Sequence, residues 1–334
     1  MTATVRCSIS ELTAISATSI SLCRRLRFAN RSIVDPIPKC RQRIFQIHRG
    51  VLLGTDVLTP TISRNKRPQR CEGDIRMRRT IDYAIADVHG RADLLLPIVV
   101  ACIKDAAERG AAPCFVFLGD IVDRGPTSRD CLDIVSEVLS TYEGSVCLKG
   151  NHEDLATAAF SSEGSDGHAV ERWLENGGFA TLESYHHDLE IGFEMMRTMH
   201  GDHLRLMESA RTSLERGGYF FAHAGIDPTR PFQDQRDRDL MWTREKFLGH
   251  VGYLELVVIH GHEVVGDLPV VTENRVSLDT GAYRSGRLTA CAVDGGELRF
   301  MQTDGSGRSV VSVDPVRLNR GLGTCLDCPM VLAA

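Results

Sequence analysis

Five short clusters in this sequence carry side chains able to hold metal ions. Asp87 and His89 stand in D-V-H-G, Asp120 in G-D-I-V-D-R-G, and Asn151 and His152 in G-N-H-E. His223 stands in H-A-G and His262 in G-H-E. Carboxylate, imidazole and amide oxygen together suit Mn²⁺, iron or Zn²⁺ rather than a soft thiolate site. These seven groups exceed the needs of one ion. Two divalent ions about 3.5–4 Å apart, sharing Asp120, would use them. Such a pair lowers the pKa of a bridging water enough for attack near neutral pH and suits in-line displacement at phosphorus.

Phosphoryl oxygens also need fixed cations. Arg124 follows Asp120 by four residues in the same loop, and its planar fork can bind two oxygens at once. His152, next to Asn151, can protonate a leaving oxygen. Asp123 can orient that imidazole and keep it protonated. Each residue also has a plainer explanation. Gly-Asp-x-x-Asp alone is more simply a turn with a helix cap, a single histidine after a strand is usually a surface or core residue, and Asn151 after Gly150 can be only a turn. The combination decides the matter. Asp87, Asp120 and Asn151 are spaced by 33 and 31 residues, each just beyond an expected strand.

The elements that must position these groups follow from the hydrophobic pattern. Residues 80–86 alternate as a strand and break into D-V-H-G; residues 91–108 have helical spacing and end at Gly110. The apolar run 114–118 reads as a buried strand, followed by a helix over 127–140 and another buried strand at 145–149. Residues 152–215 look helical with polar breaks. Strands are expected at 218–223 and 255–260, and 269–302 reads as a small antiparallel meander. This order suggests an α/β (α+β) fold of two mixed sheets packed face to face with helices outside. The polar clusters fall at the C-terminal ends of strands, where open α/β sheets bind ligands.

These motifs resemble those of the phosphoprotein phosphatase branch of the calcineurin-like metallophosphoesterases, over about residues 80–295. W-L-x-N-G-G at 173–178, W-x-R-E-x-F at 242–247 and D-T-G-A at 279–282 are similar to the bacterial members. The resemblance implies a four-layer αββα sandwich. It implies that Asp87, His89 and Asp120 hold a first metal, and that Asp120, Asn151, His223 and His262 hold a second. It implies Arg124 and, on a weaker motif, Arg244 as phosphate clamps, and His152 with Asp123 as the general acid and its partner. Ala86 stands where the family usually has glycine, which ordinary backbone angles accommodate. His260 is better read as a strand residue than as a helper near the site, and Trp173 as core packing rather than a wall of the substrate entrance. Asp279 supports the site from behind or forms a turn; the two are evenly balanced.

Composition sets the outer bounds. The 334 residues suit one large domain or two ordinary ones, and 43% hydrophobic with 25% charged residues is ordinary for a globular protein. No run of about 18 uncharged apolar residues is present, which argues against a membrane-spanning helix. Residues 1–76 hold 14 Lys+Arg and 5 Asp+Glu, leaving 39−14 = 25 basic against 44−5 = 39 acidic residues for the rest. An acidic body of this kind is a poor partner for duplex nucleic acid. The basic segment fits an organellar targeting sequence, a disordered arm, or translation from a misassigned start; the last is favoured, since Met77 opens a natural first strand. The expected organisation is thus an extension at 1–76, a catalytic domain at 77–315 and a tail at 316–334. The 11 cysteines are odd in number and lie mostly in apolar runs, which fits reduced thiols in a cytoplasmic protein. Cys325 and Cys328 form a C-x-x-C pair without a second ligand pair or a βαβ setting.

The expected activity is metal-dependent hydrolysis of phosphomonoesters on phosphoserine or phosphothreonine proteins, with phosphotyrosine as an extension. Mn²⁺ is the expected metal in vitro, with iron and zinc as alternatives. Dinucleoside polyphosphate hydrolysis and a broad small-molecule phosphoesterase compete with it; the polyphosphatase relatives typically replace the aspartate at position 123. A binding protein with a dead site is disfavoured, because no ligand position and no His152 is lost.

Overall fold

The computed structural model describes residues 79–161 and 167–318. The basic segment 1–76 and the Cys325–Cys328 pair lie outside the described residues.

Strict alternation builds the layers. In β1 (Thr80–Ile85) Ile81, Tyr83 and Ile85 point to one side, and Ala84 to the other. The first set packs beneath helices α1 (Ala92–Glu108) and α2 (Ser128–Thr141), against Leu95, Ile98 and Val135. β5 (Tyr219–Ala222) repeats the pattern. Tyr219 and Phe221 join Ala84 between the sheets, while Phe220 and Ala222 face Leu240 and Phe247 on the short outer helices Asp237–Trp242 and Glu245–Leu248. A side chain reversing every residue can be buried on both faces only in a sheet covered on both sides. The result is helix, sheet, sheet, helix.

The first sheet has the order β11-β10-β9-β1-β2-β3, with β2 at Ala112–Phe117, β3 at Val146–Cys147, β9 at Thr289–Asp294, β10 at Glu297–Thr303 and β11 at Val310–Val313. β1, β2 and β3 are parallel, and β9 runs antiparallel beside β1. The second sheet has the order β12-β7-β8-β6-β5-β4, with β4 at Ser213–Arg216, β6 at Val257–His260, β7 at Val270–Val271, β8 at Arg275–Ser277 and β12 at Val316–Arg317. β5, β6 and β8 are parallel. The parallel strands of both sheets deliver their C-terminal ends to one edge, and all five clusters leave from there.

Three sequence expectations change. The stretch 269–302 is not one meander. β7 and β8 form a hairpin in the second sheet, β9 and β10 another in the first, and residues 278–288 cross between them. Alternation reveals hairpin pairing but not which sheet a hairpin joins. Among the described residues of 152–215, separate helices run as far as Glu208, but Ser213–Arg216 is an edge strand on β5. Val316–Arg317, set apart as part of a tail, pairs with β7. No helix among the described residues is long and apolar enough to cross a membrane.

Candidate active site

The loops beyond β1, β2, β3, β5 and β6 bring nine of the ten expected site residues together. The exception in degree is Arg244, which sits at the rim with an exposed side chain, paired to Glu263 at 3.0 Å. Its charge reaches His262, whose imidazole it helps to keep neutral.

The ring nitrogens are aimed by backbone carbonyls. His223 Nδ1 donates to Leu118 O at 2.9 Å, and His89 Nδ1 donates to Val122 O at 3.0 Å. A carbonyl can only accept, so each ring carries its proton there and turns a bare Nε2 inward. His223 Nε2 then lies 2.9 Å from Asn151 Oδ1, 3.1 Å from His262 Nδ1 and 3.4 Å from Asp120 Oδ1. His262 Nδ1 is also 2.9 Å from Asn151 Oδ1. These are lone-pair atoms crowded together, and at most one proton, on His262, is available among them. A divalent cation satisfies all four at once. On the other side, His89 Nε2 is 3.5 Å from Asp120 Oδ2. Asp120 turns one oxygen toward each group. The donor set of nitrogen and oxygen, with the His89 and His223 imidazoles steadied from behind, fits a divalent metal pair.

Charges follow this layout. Burial holds the imidazoles of His89 and His262 down at about 3, so they are neutral and ready to ligate. Burial alone would raise Asp120, but the surrounding histidines, His223 foremost, hold it well below the usual carboxylate range. Asp87 is pushed up by burial and by the charges of Asp279 and Asp120. Its carboxylate accepts the His262 backbone N–H at 3.0 Å, which ties the first loop to the last. Gly261 makes this possible, because a Cβ there would fall inside the Asp87 carboxylate.

Beside the metal ligands lies a second group. Asp123 Oδ2 accepts His152 Nδ1–H at 2.8 Å, and the guanidinium of Arg124 spans His89 Nε2 at 2.7 Å and His152 Nε2 at 2.8 Å. Arginine only donates, so His152 holds its proton on Nδ1 in this arrangement. Burial opposes protonation of His152, yet the charges of Asp120 and Asp123 raise it overall. The Arg124 guanidinium also lies over the Tyr283 ring, 5.1 Å from its centre.

Some supporting residues escaped the sequence. Glu153 is buried, and its two oxygens accept four backbone N–H groups: Asp120 at 2.8 Å, Ile121 at 2.8 Å, Val122 at 3.3 Å and Gly150 at 2.9 Å. It clamps the metal loop to the start of the helix Asn151–Phe160. The Gly150-x-x-Glu153 spacing of a capping box was the available signal. Trp173 is buried as expected, but its indole N–H is spent on Asp123 rather than on packing alone. His260 is a strand residue, its ring enclosed between Gly261 O and Ser277 Oγ. Asp279 accepts the Gly281 N–H and is pushed by burial to about 6. Ala86 is buried in ordinary backbone geometry and sits beside the Gly261 position.

Backbone conformation marks the site as well. Among the described residues, six other than glycine have left-handed φ: Asp87 (42°), His89 (45°), Asp120 (52°), Asp123 (72°), Arg124 (67°) and His262 (67°). Every one is a site residue. Left-handed geometry in such side chains costs stability and concentrates where function demands it.

Residues 83–284 match the calcineurin-like phosphoesterase family, and the chain belongs to that family. It is thus a phosphoesterase, a hydrolase of a metal-dependent class. Serine/threonine-protein phosphatase 1 of Salmonella typhimurium is 28% identical over 221 residues, which cover 63% of this chain and 91% of that protein. Serine/threonine-protein phosphatase 2 of Escherichia coli is 24% identical over 216 residues, covering 62% and 90%. Among solved structures, a cold-active protein-tyrosine phosphatase of a psychrophilic Shewanella is 17% identical with a TM-score of 0.42, covering 75% of this chain and 89% of that one.

Proposed function

We propose that this protein removes phosphate from phosphoserine and phosphothreonine in proteins, using two divalent metal ions, with Mn²⁺ supporting activity in vitro. Asp87, His89 and Asp120 would hold one ion, and Asp120, Asn151, His223 and His262 the other. The observation that carries the reading is the Asp123–His152–Arg124 arrangement, set directly against the converging metal ligands. It supplies a proton donor and a phosphate clamp on one wall of the site, which a phosphomonoester needs.

When bound between those residues, the ions would supply Lewis acidity and lower the pKa of a water toward neutrality. The chain's own residues do the rest. Arg124 leaves the two imidazoles and turns its fork to the phosphoryl oxygens, with Arg244 closing from the rim. That movement frees His152 Nε2 to take up a proton, which the neighbouring carboxylates of Asp120 and Asp123 favour. His152 then delivers it to the departing serine or threonine oxygen. Asp123 keeps the ring oriented through Nδ1 throughout. A cytoplasmic setting accords with Cys102, Cys114, Cys131, Cys147 and Cys291, which are buried free thiols among the described residues.

The test uses the full chain, stripped of metal and reloaded with Mn²⁺. Phosphoserine, phosphothreonine and phosphotyrosine peptides are compared with diadenosine tetraphosphate. Metal-dependent phosphate release from the serine and threonine peptides is the expected result. Cleavage of the dinucleotide with the peptides untouched would overturn the proposal and favour the polyphosphatase branch. Inactivity on both with metal bound would overturn it in favour of another ester or a binding role.

A further inference from the structure

The W-L-E-N-G-G motif at 173–178 is left without a task by metal binding and by the clamp. The structure connects it to the chemistry. Asp123 is fully buried, and its carboxylate accepts three donors: His152 Nδ1 at 2.8 Å, Thr181 Oγ1 at 2.7 Å and Trp173 Nε1 at 3.0 Å. Trp173 opens the motif and Thr181 follows it by three residues. The Asp123 backbone N–H in turn lies 2.9 Å from Thr181 Oγ1 and 3.1 Å from Ser128 Oγ.

Regular helix could not achieve this. Residues 173 and 181 on an unbroken α-helix would be about 12 Å apart along the axis and turned from one another by about 80°. Here the helix His168–Trp173 passes into a kinked turn, Leu174–Gly178, before Phe179–Tyr185 begins. Gly177 adopts φ 112° inside the turn. The kink brings the indole and the hydroxyl onto one carboxylate. The turn also touches the clamp: Gly177 O accepts the Arg124 backbone N–H at 3.3 Å, and a Cβ on Gly177 would stand 3.0 Å from Arg124 Cγ. Gly178 has the same reason to lack a side chain, since its Cβ would lie 2.7 Å from the Trp173 ring.

We propose that Trp173 and Thr181 are positioning residues for proton delivery, holding Asp123 so that His152 points its Nε2 at the leaving oxygen. The proposal rests on the reading of His152 as the general acid. Both donors are neutral, so they fix the carboxylate without competing with His152 for its charge. Which lone pair of Asp123 meets the imidazole is set from behind by the indole and the hydroxyl. A tryptophan that only filled volume would have no need of an N–H aimed at the one carboxylate that touches His152.

The experiment uses the full, metal-loaded chain and two substrates. A phosphoserine peptide releases an alkoxide that needs a proton; 4-nitrophenyl phosphate releases a phenolate that leaves without one. Trp173→Phe and Thr181→Val are expected to lower kcat on the peptide at least about tenfold, a part of the full general-acid effect. On the aryl ester they should change kcat less than about twofold on the same grounds, with KM unchanged on both. Thr181→Ser, which keeps the hydroxyl, should restore the peptide rate. In the metal-free protein, the downfield proton resonance of the His152 Nδ1–H should move in Trp173→Phe and Thr181→Val and vanish in His152→Gln. If Trp173→Phe does not fold, Thr181→Val carries the test alone. Selective loss on the peptide in His152→Gln, with equal loss on both substrates in the Trp173 and Thr181 variants, overturns this inference and leaves the acid intact. Equal loss on both substrates in His152→Gln overturns the acid reading and this inference with it.

Discussion

Replacing Glu153 by glutamine exchanges one carboxylate oxygen for an NH₂ group and changes nothing else in size. Each oxygen of Glu153 accepts two backbone N–H groups, so either orientation of the amide leaves two N–H groups facing another donor. Bonds to a charged acceptor contribute about 1.5–3 kcal/mol each, so the loss is about 3–6 kcal/mol. A second effect opposes it. Burial and the nearby Asp120 push the Glu153 carboxyl up to about 7 from an ordinary 4.5, a charge cost of about 3 kcal/mol that the amide escapes. The two nearly offset, leaving the metal-free fold weaker by about 0–3 kcal/mol, from the same magnitudes. The metal site has no such relief. Its loop, carrying Asp120, loses the anchor, and a supporting partner of this kind is worth about 10–100-fold in metal affinity. Glu153→Gln should therefore bind Mn²⁺ at least about tenfold more weakly by calorimetry, while urea unfolding of the metal-free protein shifts little. Wild-type Mn²⁺ affinity in a folded Glu153→Gln protein would refute the reasoning.

Three other substitutions probe different layers. Asp120→Asn should retain the fold by circular dichroism but lose both bound metals by elemental analysis and all turnover; near-normal activity with metal content unchanged would refute a shared ligand. Gly261→Ala should cost at least about tenfold in Mn²⁺ affinity, because the new methyl displaces the Asp87 carboxylate; unchanged affinity would show that Asp87 need not sit there. His260 titrates near 3 in the fold because burial disfavours its charge. A depressed histidine contributes stability that is present above the unfolded value of about 6.5 and is lost as pH falls toward about 3. Across that window the wild type should lose up to about 5 kcal/mol more than His260→Gln, read by urea titrations at each pH. Parallel curves for the two proteins would place the His260 titration elsewhere.

The site was legible because its chemistry is local. Each proposed ligand or proton donor follows a strand within a few residues, so residue type and spacing alone marked Asp87, Asp120, Asn151, His223 and His262 for the cluster in which the fold gathers them. Strands β1, β2, β5 and β6 were legible for the same reason, as apolar runs ending in polar loops. What was not legible depends on distant partners. Trp173 meets Asp123 across 50 residues, and nothing in W-L-E-N-G-G announces an acceptor for its indole. Ser213–Arg216 is a strand only because β5 offers it an edge; its own pattern continues the polar helical stretch before it. The two late hairpins alternate alike, and only the crossing through residues 278–288 assigns them to different sheets. Arg244 was foreseen as a clamp, but its pairing with Glu263 at the rim follows from how the β6 loop turns.

The six left-handed residues have a consequence for how this chain can change. Each would be relieved by glycine, by about 1–2 kcal/mol, and all six carry or neighbour the reactive groups. Selection for heat resistance alone would find these positions among its easiest gains, and each gain would remove a proposed ligand, the proposed clamp or the proposed partner of the acid. In this chain the route to a tougher scaffold and the route to an inert one begin at the same residues. Any thermostable variant that keeps its activity must draw its improvements from elsewhere, in the two cores and the outer helices, and leave the strained edge alone.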